Sequence, residues 1–419
     1  MVGWCMDQVR NTKLLTYNIK VRKVVSNRVR WMGYSDTECL AVVIYNLLAC
    51  LRKDSVLVYS RMTSSKLRPS KKGINARRVI RAIDFLEAEG YVVNHKGRGS
   101  PIVENRRVSW VEPTQKFIGG WCEKEVFLQA ELDYLDQCEV IELRDTEKNS
   151  IPYKNSEHIK RMADTVRELN KMNEGCEIRD GEGSVMTNIY CRIFNESFDY
   201  GGRFYRADVL AIKNKKTDDR LKVTIDGEPV CEVDYSNLHF RIAAALEDLD
   251  AEDIPLDVYS GILEDEDNAV DREIVKLAVN MMFNCRNDEK ARAAIQKEIN
   301  LLKKEDKAEY TLGNATSVMS LIDNAYPQFS YLFCTEGSFG RVLQNADSHL
   351  ASDIIEVMLN RQIPCLPVHD SFIVPLKHLD FLCDTMGECF RKRFNWQGVV
   401  PVGLKYFNCG ELVKEKICV

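Results

Sequence analysis

The sequence predicts an α+β protein with an antiparallel sheet in its C-terminal half. Helical segments near the N-terminus are followed by two β-rich runs, and two strand-like segments of the C-terminal half each lead into an aspartate. At 419 residues, of which 45% are hydrophobic, the chain can build two or three subdomains.

The composition argues against several classes of protein. The fifteen cysteines are scattered singly without a CxxC pair, which favours reduced thiols over a zinc site. No segment approaches the roughly 18 apolar residues of a membrane span, and the N-terminus lacks the apolar region of a signal peptide. We therefore expect no membrane contact and an intracellular, cytoplasmic location, in a bacterial host or as a virus-encoded protein.

The N-terminal third contains two predicted helices and a hairpin. Residues 36–52 read as an amphipathic helix capped by an aspartate, and residues 75–90 as a second helix with Asn75 as its N-cap and Gly90 at its end. Two β-rich runs follow, joined by a basic turn that contains glycine. This order resembles a winged helix-turn-helix, which we assign to residues 1–115.

The predicted winged helix is strongly basic. Residues 51–110 carry 14 Lys and Arg against 5 Asp and Glu, whereas the whole chain has a net charge of −5. Basic residues before the second helix, at its front and on the wing suit contacts with DNA phosphates: Lys71, Lys72, Arg77, Arg78, Arg81, Lys96 and Arg98. The alternatives are a protein-interaction module or a merely solvated charged face.

Two aspartates end strand-like segments of the C-terminal half. In residues 222–246, the turn Asp226-Gly227 leads into a strand that ends at Asp234, and an amphipathic helix follows. In residues 367–375, PVHDSFIVP, Asp370 stands where a tight hairpin would expose it. If the two strands are neighbours, the carboxylates converge and repel unless cations lie between them, as in two-magnesium sites. For either aspartate alone, a turn cap is the simpler interpretation.

The segment 271–284, DREIVKLAVNMMFN, reads as a helix between these aspartates. A buried stripe of Ile274, Leu277, Ala278, Met281 and Met282 leaves Arg272, Lys276 and Phe283 together on the opposite face. Two cations and an aromatic ring on one face suit a triphosphate and a stacked base. A plain surface helix would show a similar pattern.

Several of these segments resemble one superfamily of polymerases. DYSNLHFRIAAAL (234–246), DREIVKLAVNMMFN and PVHDSFIVP are similar to the first palm motif, the fingers helix and the last palm motif of family A DNA polymerases, and PLDVYSGI (255–262) to their DxY/DxH segment. The HDS form of the last motif, FDYGGRFYR (198–206) and DSHL (347–350) resemble the bacteriophage-type and mitochondrial single-subunit RNA polymerases. The resemblance covers roughly residues 190–410.

The resemblance implies a right-hand polymerase fold. The palm, built on an antiparallel sheet, would comprise residues 191–250 and 345–419, and helical fingers would comprise residues 251–344. Residues 116–190 would form a helical connector or a minimal thumb. A helix predicted at 156–175 is the thumb candidate, with an ordinary linker helix as the alternative.

The resemblance also implies roles for individual residues. Asp234 and Asp370, with the backbone carbonyl of Tyr235, would hold two Mg²⁺ ions, or Mn²⁺ in their place. Arg272 and Lys276 would bind the incoming nucleoside triphosphate. The remaining roles are contacts with the DNA template, the primer or product and the sugar: Arg203 and Tyr205 for the template, His369 for the primer or product terminus, and His349 near a sugar.

Two positions depart from the family pattern. His239 stands where the DNA polymerases have a glutamate that senses the ribose and the RNA polymerases have glycine, and Asn284 stands where the fingers tyrosine is expected, one place after Phe283. Both departures concern the pocket for the sugar and base of the nucleotide. No exonuclease-like domain precedes the palm, so we expect no proofreading.

The leading hypothesis is a compact DNA-directed polymerase that releases pyrophosphate, primase-like or RNA-polymerase-like, from a virus or mobile element. The first alternative is a family A-like DNA polymerase without proofreading. The second is a nucleic-acid-binding regulator whose palm is a relic.

Overall fold

A computed structural model describes most of the chain as two compact units. The first unit comprises residues 1–192 and 205–229, and the second residues 193–204 and 230–419. Within them the described residues are 12–14, 23–51, 56–59, 74–96, 109–121, 139–186, 188–212, 218–263, 269–304, 310–337 and 339–419. The predicted palm segment 191–250 is thus divided, because residues 205–229 return to the first unit.

The N-terminal part of the first unit packs helices against a four-stranded sheet with strand order β1-β2-β4-β3. β1 runs parallel to β2, while β4 is antiparallel to both β2 and β3. The elements are β1 Thr12–Leu14, α1 Lys23–Arg30, α2 Thr37–Leu51, β2 Val56–Tyr59, α3 Ala76–Ala88, β3 Val92–His95, β4 Ser109–Pro113 and α4 Gln115–Trp121.

The sequence signals for these helices are confirmed. The carboxylate of Asp36 accepts a hydrogen bond from the backbone N–H of Cys39 at 3.2 Å, within the first turn of α2. Asn75 caps α3 in the same way, accepting from the N–H of Arg78 at 3.2 Å. Gly90, just past α3, has a φ of 73°, which glycine adopts without strain.

The structure changes the predicted basic surface. Arg78 is not at its exposed front, because its guanidinium binds Asp36 with two contacts of 2.7 Å. Lys96 lies 2.8 Å from Glu87 of α3. Arg77 and Arg81 are exposed, as expected. Lys71, Lys72 and Arg98 lie outside the described residues.

The rest of the first unit contains one long helix and short strands. The elements are β5 Ile141–Arg144, α5 Glu157–Gly175, β6 Ile178–Arg179 and β9 Thr224–Ile225. The long helix α5 confirms the helix predicted at 156–175, with the Ser156 hydroxyl accepting from the N–H of Ile159 at 3.2 Å. Asp226 and Gly227, with φ of 52° and 78°, form the predicted tight turn.

The second unit is built around an antiparallel sheet in which β10 is central, with the strand order β11-β12-β10-β13-β14. The strands of this sheet are β10 Glu228–Tyr235, β11 Leu366–Val368, β12 Ser371–Pro375, β13 Pro401–Asn408 and β14 Glu411–Cys418. Two neighbouring strands, β7 Cys191–Asn195 and β8 Ser197–Tyr205, lie outside this sheet. Its helices are α6 Leu238–Leu246, α7 Ala269–Asn284, α8 Asp288–Lys304, α9 Ala315–Ala325, α10 Phe339–Asn360 and α11 Leu379–Phe394.

The sheet brings together segments more than a hundred residues apart. β10 pairs with β12 so that Asp234 lies opposite Ser371, and with β13 so that Asp234 lies opposite Gly403. The predicted adjacency of the two aspartate-bearing strands is therefore confirmed. Mixed helix and antiparallel sheet also confirm the α+β class.

Candidate active site

Asp234 and Asp370 meet at one end of the central sheet. Asp234 lies near the end of β10, and Asp370 lies in the two-residue turn between β11 and β12, since Val368 pairs with Ser371. The N–H of Tyr235 faces the backbone carbonyl of Asp370 at 3.4 Å, so the two backbone segments are in contact. Both carboxylates line one cavity of about 690 Å³.

The turn that presents Asp370 is strained. His369 occupies its first central position with a φ of 59°, where glycine is the usual residue. β12 behind the turn is fully buried and fixed to β10 along its length. The polar residues His369 and Asp370 thus lie in a turn with an unfavourable backbone conformation. Such strain is expected where a side chain must be presented to a cavity rather than packed in the core.

The electrostatic environment of Asp234 disfavours its charged form. Burial raises the pKa of this carboxyl well above its ordinary value, and the negative charges of Asp370 and then Glu232 raise it further. Glu232 is itself buried and accepts a hydrogen bond from the Ser371 hydroxyl at 3.0 Å. Lys405 and Lys276 act in the opposite direction on Asp234, but weakly. This is the environment in which a bound cation stabilises the ionised pair.

One face of α7 lines the same cavity. Arg272 and Lys276 face it as the sequence predicts, and the four-residue spacing continues through Asn280 and Asn284. Asn280 was missed because an isolated asparagine carries no charge signal. The Arg272 guanidinium also binds Asp257 through Nε at 3.0 Å and Nη2 at 2.7 Å, and it lies 5.6 Å from the ring centre of Tyr259.

Phe283 does not join this face, so its assignment to the nucleotide is wrong. Its ring is fully buried and packs against Phe333 and Phe240, with ring centres 4.9 and 6.5 Å away. Phe283 is close in angle to Lys276 around the helix, but aromatic rings from neighbouring elements cover that side near the C-terminal end of α7. The buried stripe also differs from the prediction, with Val275 and Val279 inside and Leu277 exposed.

His239 faces the cavity and is held by a buried carboxylate. Its Nε2 lies 2.7 Å from Oδ2 of Asp347, whose side chain is 1% exposed. Arg203 binds the same carboxylate, with Nε 3.0 Å from Oδ2, and its Nη2 is 3.0 Å from Nε2 of His239. Burial alone would raise the pKa of Asp347, but the hydrogen bond from His239 and the charge of Arg203 lower it.

This cluster revises two predicted roles. Arg203 lines the cavity but uses its guanidinium within the protein rather than presenting it to a template. On α10 it is Asp347 that reaches His239, while His349 is absent from the cavity lining. The DSHL motif drew attention to its histidine, although its first residue makes the contact.

Two further predicted residues lie outside the cavity lining: Tyr205 and His369. Tyr205 belongs to the first unit. The side chain of Tyr235 also points away, since its hydroxyl donates to the carbonyl of Met386 at 2.7 Å. The backbone of Tyr235 remains beside Asp234, which is the part expected to contribute a ligand.

The carboxylate oxygens of the cavity suit a hard divalent cation but do not form a complete coordination sphere by themselves. Within the described ranges, no group of three His, Cys, Asp or Glu side chains is arranged as a metal site. Asp234 and Asp370 nevertheless supply carboxylate oxygens, the ligands that Mg²⁺ takes with water and substrate phosphates. The raised pKa of Asp234 also fits a site completed by positive charge.

Comparison with known proteins adds no assignment to this geometry. The structure itself also excludes one kind of segment: none of the described helices combines the length and the apolar character of a membrane-spanning helix. No protein-family model matches the chain, and no curated protein matches it in sequence.

Proposed function

We propose that the chain is a template-directed nucleotidyltransferase with its active site in the cavity between β10, the β11–β12 turn and α7. The observation that supports this most strongly is that the pair Asp234 and Asp370 lines one cavity together with Arg272 and Lys276. Carboxylates for cations and cations for phosphates are the two requirements of phosphoryl transfer.

In the proposed reaction, a strand hydroxyl oxygen attacks the α-phosphorus of a nucleoside triphosphate. The new P–O bond forms as the bond to pyrophosphate breaks, and the hydroxyl proton passes to water. Asp234, Asp370 and the Tyr235 carbonyl would hold two magnesium ions, whose positive charge would favour loss of the hydroxyl proton and stabilise the leaving pyrophosphate. Arg272 and Lys276 bind the triphosphate and neutralise its charge.

The direct test is incorporation of labelled nucleotides on single-stranded DNA with Mg²⁺ or Mn²⁺, with and without a primer. Asp234→Asn and Asp370→Asn should each reduce incorporation by about a thousandfold or more. Asp384→Asn, an exposed aspartate of α11, is the matched control and should remain active. A wild-type protein without incorporation that still binds DNA would instead be a nucleic-acid-binding module.

The sugar preference separates two forms of this proposal. The HDS, DxxGR and DSHL similarities favour ribonucleotides, as in a primase or RNA polymerase. The imidazole of His239, held against the cavity by Asp347, favours deoxyribonucleotides because it narrows the space for a 2′-hydroxyl. His239→Gly should then increase ribonucleotide use. If the wild type already prefers ribonucleotides, the ribose-excluding role of His239 is refuted.

The winged-helix interpretation belongs to the same proposal. The exposed Arg77 and Arg81 on α3 support a DNA-contacting face that delivers the enzyme to its template.

A further inference from the structure

Three lysines of the C-terminal hairpin face the same cavity: Lys405, Lys414 and Lys416. Lys405 lies on β13 opposite Glu232 of β10, and opposite Lys414 of β14. Lys416 lies opposite Gly403, which is itself opposite Asp234. Residues directly opposite on neighbouring strands share a face of the sheet. The three hairpin lysines therefore project from the same face of the sheet as Asp234.

Lys416 is directly connected to the triphosphate-binding side of the site. Its Nζ lies 3.0 Å from Oδ2 of Asp257, and Nη2 of Arg272 lies 2.7 Å from the same oxygen. Two cations from different elements thus converge on one anionic oxygen. A phosphate oxygen at this place would satisfy both in the same way.

Protection of the sheet edge does not account for the pattern. Lysines on an edge strand commonly prevent sheets from pairing edge to edge, and β14 is an edge strand. However, Lys405 is on β13, an interior strand between β10 and β14. It also lies directly opposite Lys414, and like charges in that relation are unfavourable. An anion bound at the cavity would add to the negative charge that Glu232, opposite Lys405 on β10, already places beside these lysines.

We propose that the hairpin lysines form a second phosphate-binding wall, which faces Arg272 and Lys276 and binds the polyphosphate of the nucleotide. Lys416 acts with Arg272 on one phosphate, while Asp257 occupies that position in the free protein. Lys405, on the strand next to β10, brings the wall to the aspartates, where pyrophosphate would depart, and Lys414 lies opposite Lys405 on β14. The identity of the ligand rests on the proposed function, whereas the binding of polyphosphate does not require it.

The test measures the affinity of the full chain for inorganic tripolyphosphate, by calorimetry, in wild type and variants. Lys416→Gln should weaken binding about tenfold, and the double variant Lys405→Gln with Lys414→Gln at least as much. Lys392→Gln, an exposed lysine of α11 away from the cavity, is the matched control and should change affinity less than twofold. Melting curves check that each variant is folded.

Asp257→Asn should change the affinity for tripolyphosphate in the opposite direction. Removing the competing carboxylate should tighten tripolyphosphate binding, because Arg272 and Lys416 no longer need to be separated from it. A merely structural role for Asp257 predicts equal or weaker binding.

Three results would overturn the proposal. The first is an equal loss of affinity in Lys416→Gln and Lys392→Gln. The second is no loss of tripolyphosphate affinity in any hairpin variant, even where that variant binds a 12-nucleotide DNA more weakly. The third is tripolyphosphate binding by Asp257→Asn that is no tighter than that of wild type. Failure of the proposed function is distinguishable, since a wild type without nucleotide incorporation could still show the predicted tripolyphosphate results. Normal incorporation with unchanged tripolyphosphate affinity would refute only the phosphate-binding wall.

Discussion

Replacing Asp370 by asparagine should stabilise the protein when no divalent cation is present. Asp370 is a source of the negative charge that raises the pKa of Asp234, so a neutral side chain at position 370 removes part of the cost of a charged Asp234 in the folded protein. Carboxylates that share a site shift the pKa of one another by about one unit or more, and each pKa unit corresponds to about 1.4 kcal/mol. We therefore expect Asp370→Asn to gain about 1–2 kcal/mol of stability.

The corresponding change in melting temperature is measurable. A gain of 1 kcal/mol raises Tm by about 2–4 °C in a unit of this size, so Asp370→Asn should melt about 2–8 °C above wild type in EDTA at pH 7.5. Adding Mg²⁺ should raise the Tm of wild type, because ligand binding stabilises the folded state. The variant should gain less, because it has lost a ligand.

Differential scanning calorimetry of wild type, Asp370→Asn and the control Asp384→Asn, each in EDTA and in MgCl₂, provides the comparison. The reasoning is refuted if Asp370→Asn melts below wild type in EDTA and both proteins gain equally from Mg²⁺. In that case Asp370 would be a structural turn residue.

Three further predictions concern other charged residues. Burial alone raises the pKa of Asp257, but hydrogen bonds from Arg272 and Lys416 lower it to about 2. The contribution of the Asp257 carboxylate to stability is therefore present above about pH 4 and is lost as the pH falls through 2. Acid titrations of stability should therefore show a shallower loss between pH 4 and 2 in Asp257→Asn than in wild type, and parallel curves would contradict the ion pairs. Arg203→Met leaves the buried Asp347 with His239 alone and should lower the free energy of unfolding by about 3 kcal/mol, measured in urea; a change below about 0.5 kcal/mol would show that the pair contributes little. Arg77→Glu with Arg81→Glu should weaken DNA binding and reduce the slope of log affinity against log salt by about 2, while an unchanged slope would exclude α3 as the DNA contact.

The sequence was sufficient to identify the two aspartates and the strands that carry them, but not the pairing of these strands. A strand that ends in Asp234 and a polar interruption in PVHDSFIVP are both local signals, and only the neighbouring position of their strands had to be assumed. Capping residues such as Asn75 and Ser156 likewise act on their own first turn, so the starts of these helices could be predicted.

Features that depend on distant contacts could not be predicted. Periodicity shows that α7 has an apolar side, but Val275 and Val279 are as apolar as Leu277. Which side is buried depends on the elements that pack against the helix, such as those that bring aromatic rings to Phe283. Asp347, the partner of Arg203, is far away in the sequence. Asp257, the partner of Arg272, is only one of many carboxylates that the sequence offers. Charge on a helix indicates what a side chain can bind, while the fold determines what it does bind.

The central claim is templated nucleotidyl transfer, and the most direct measurement is whether the template dictates the product. The purified chain is given Mg²⁺, a primed homopolymer DNA template and one labelled nucleotide at a time, in ribose and deoxyribose forms. The account predicts incorporation of the complementary nucleotide only, with release of pyrophosphate, and its loss in Asp370→Asn. Incorporation that ignores the template, or survives in Asp370→Asn, would contradict it.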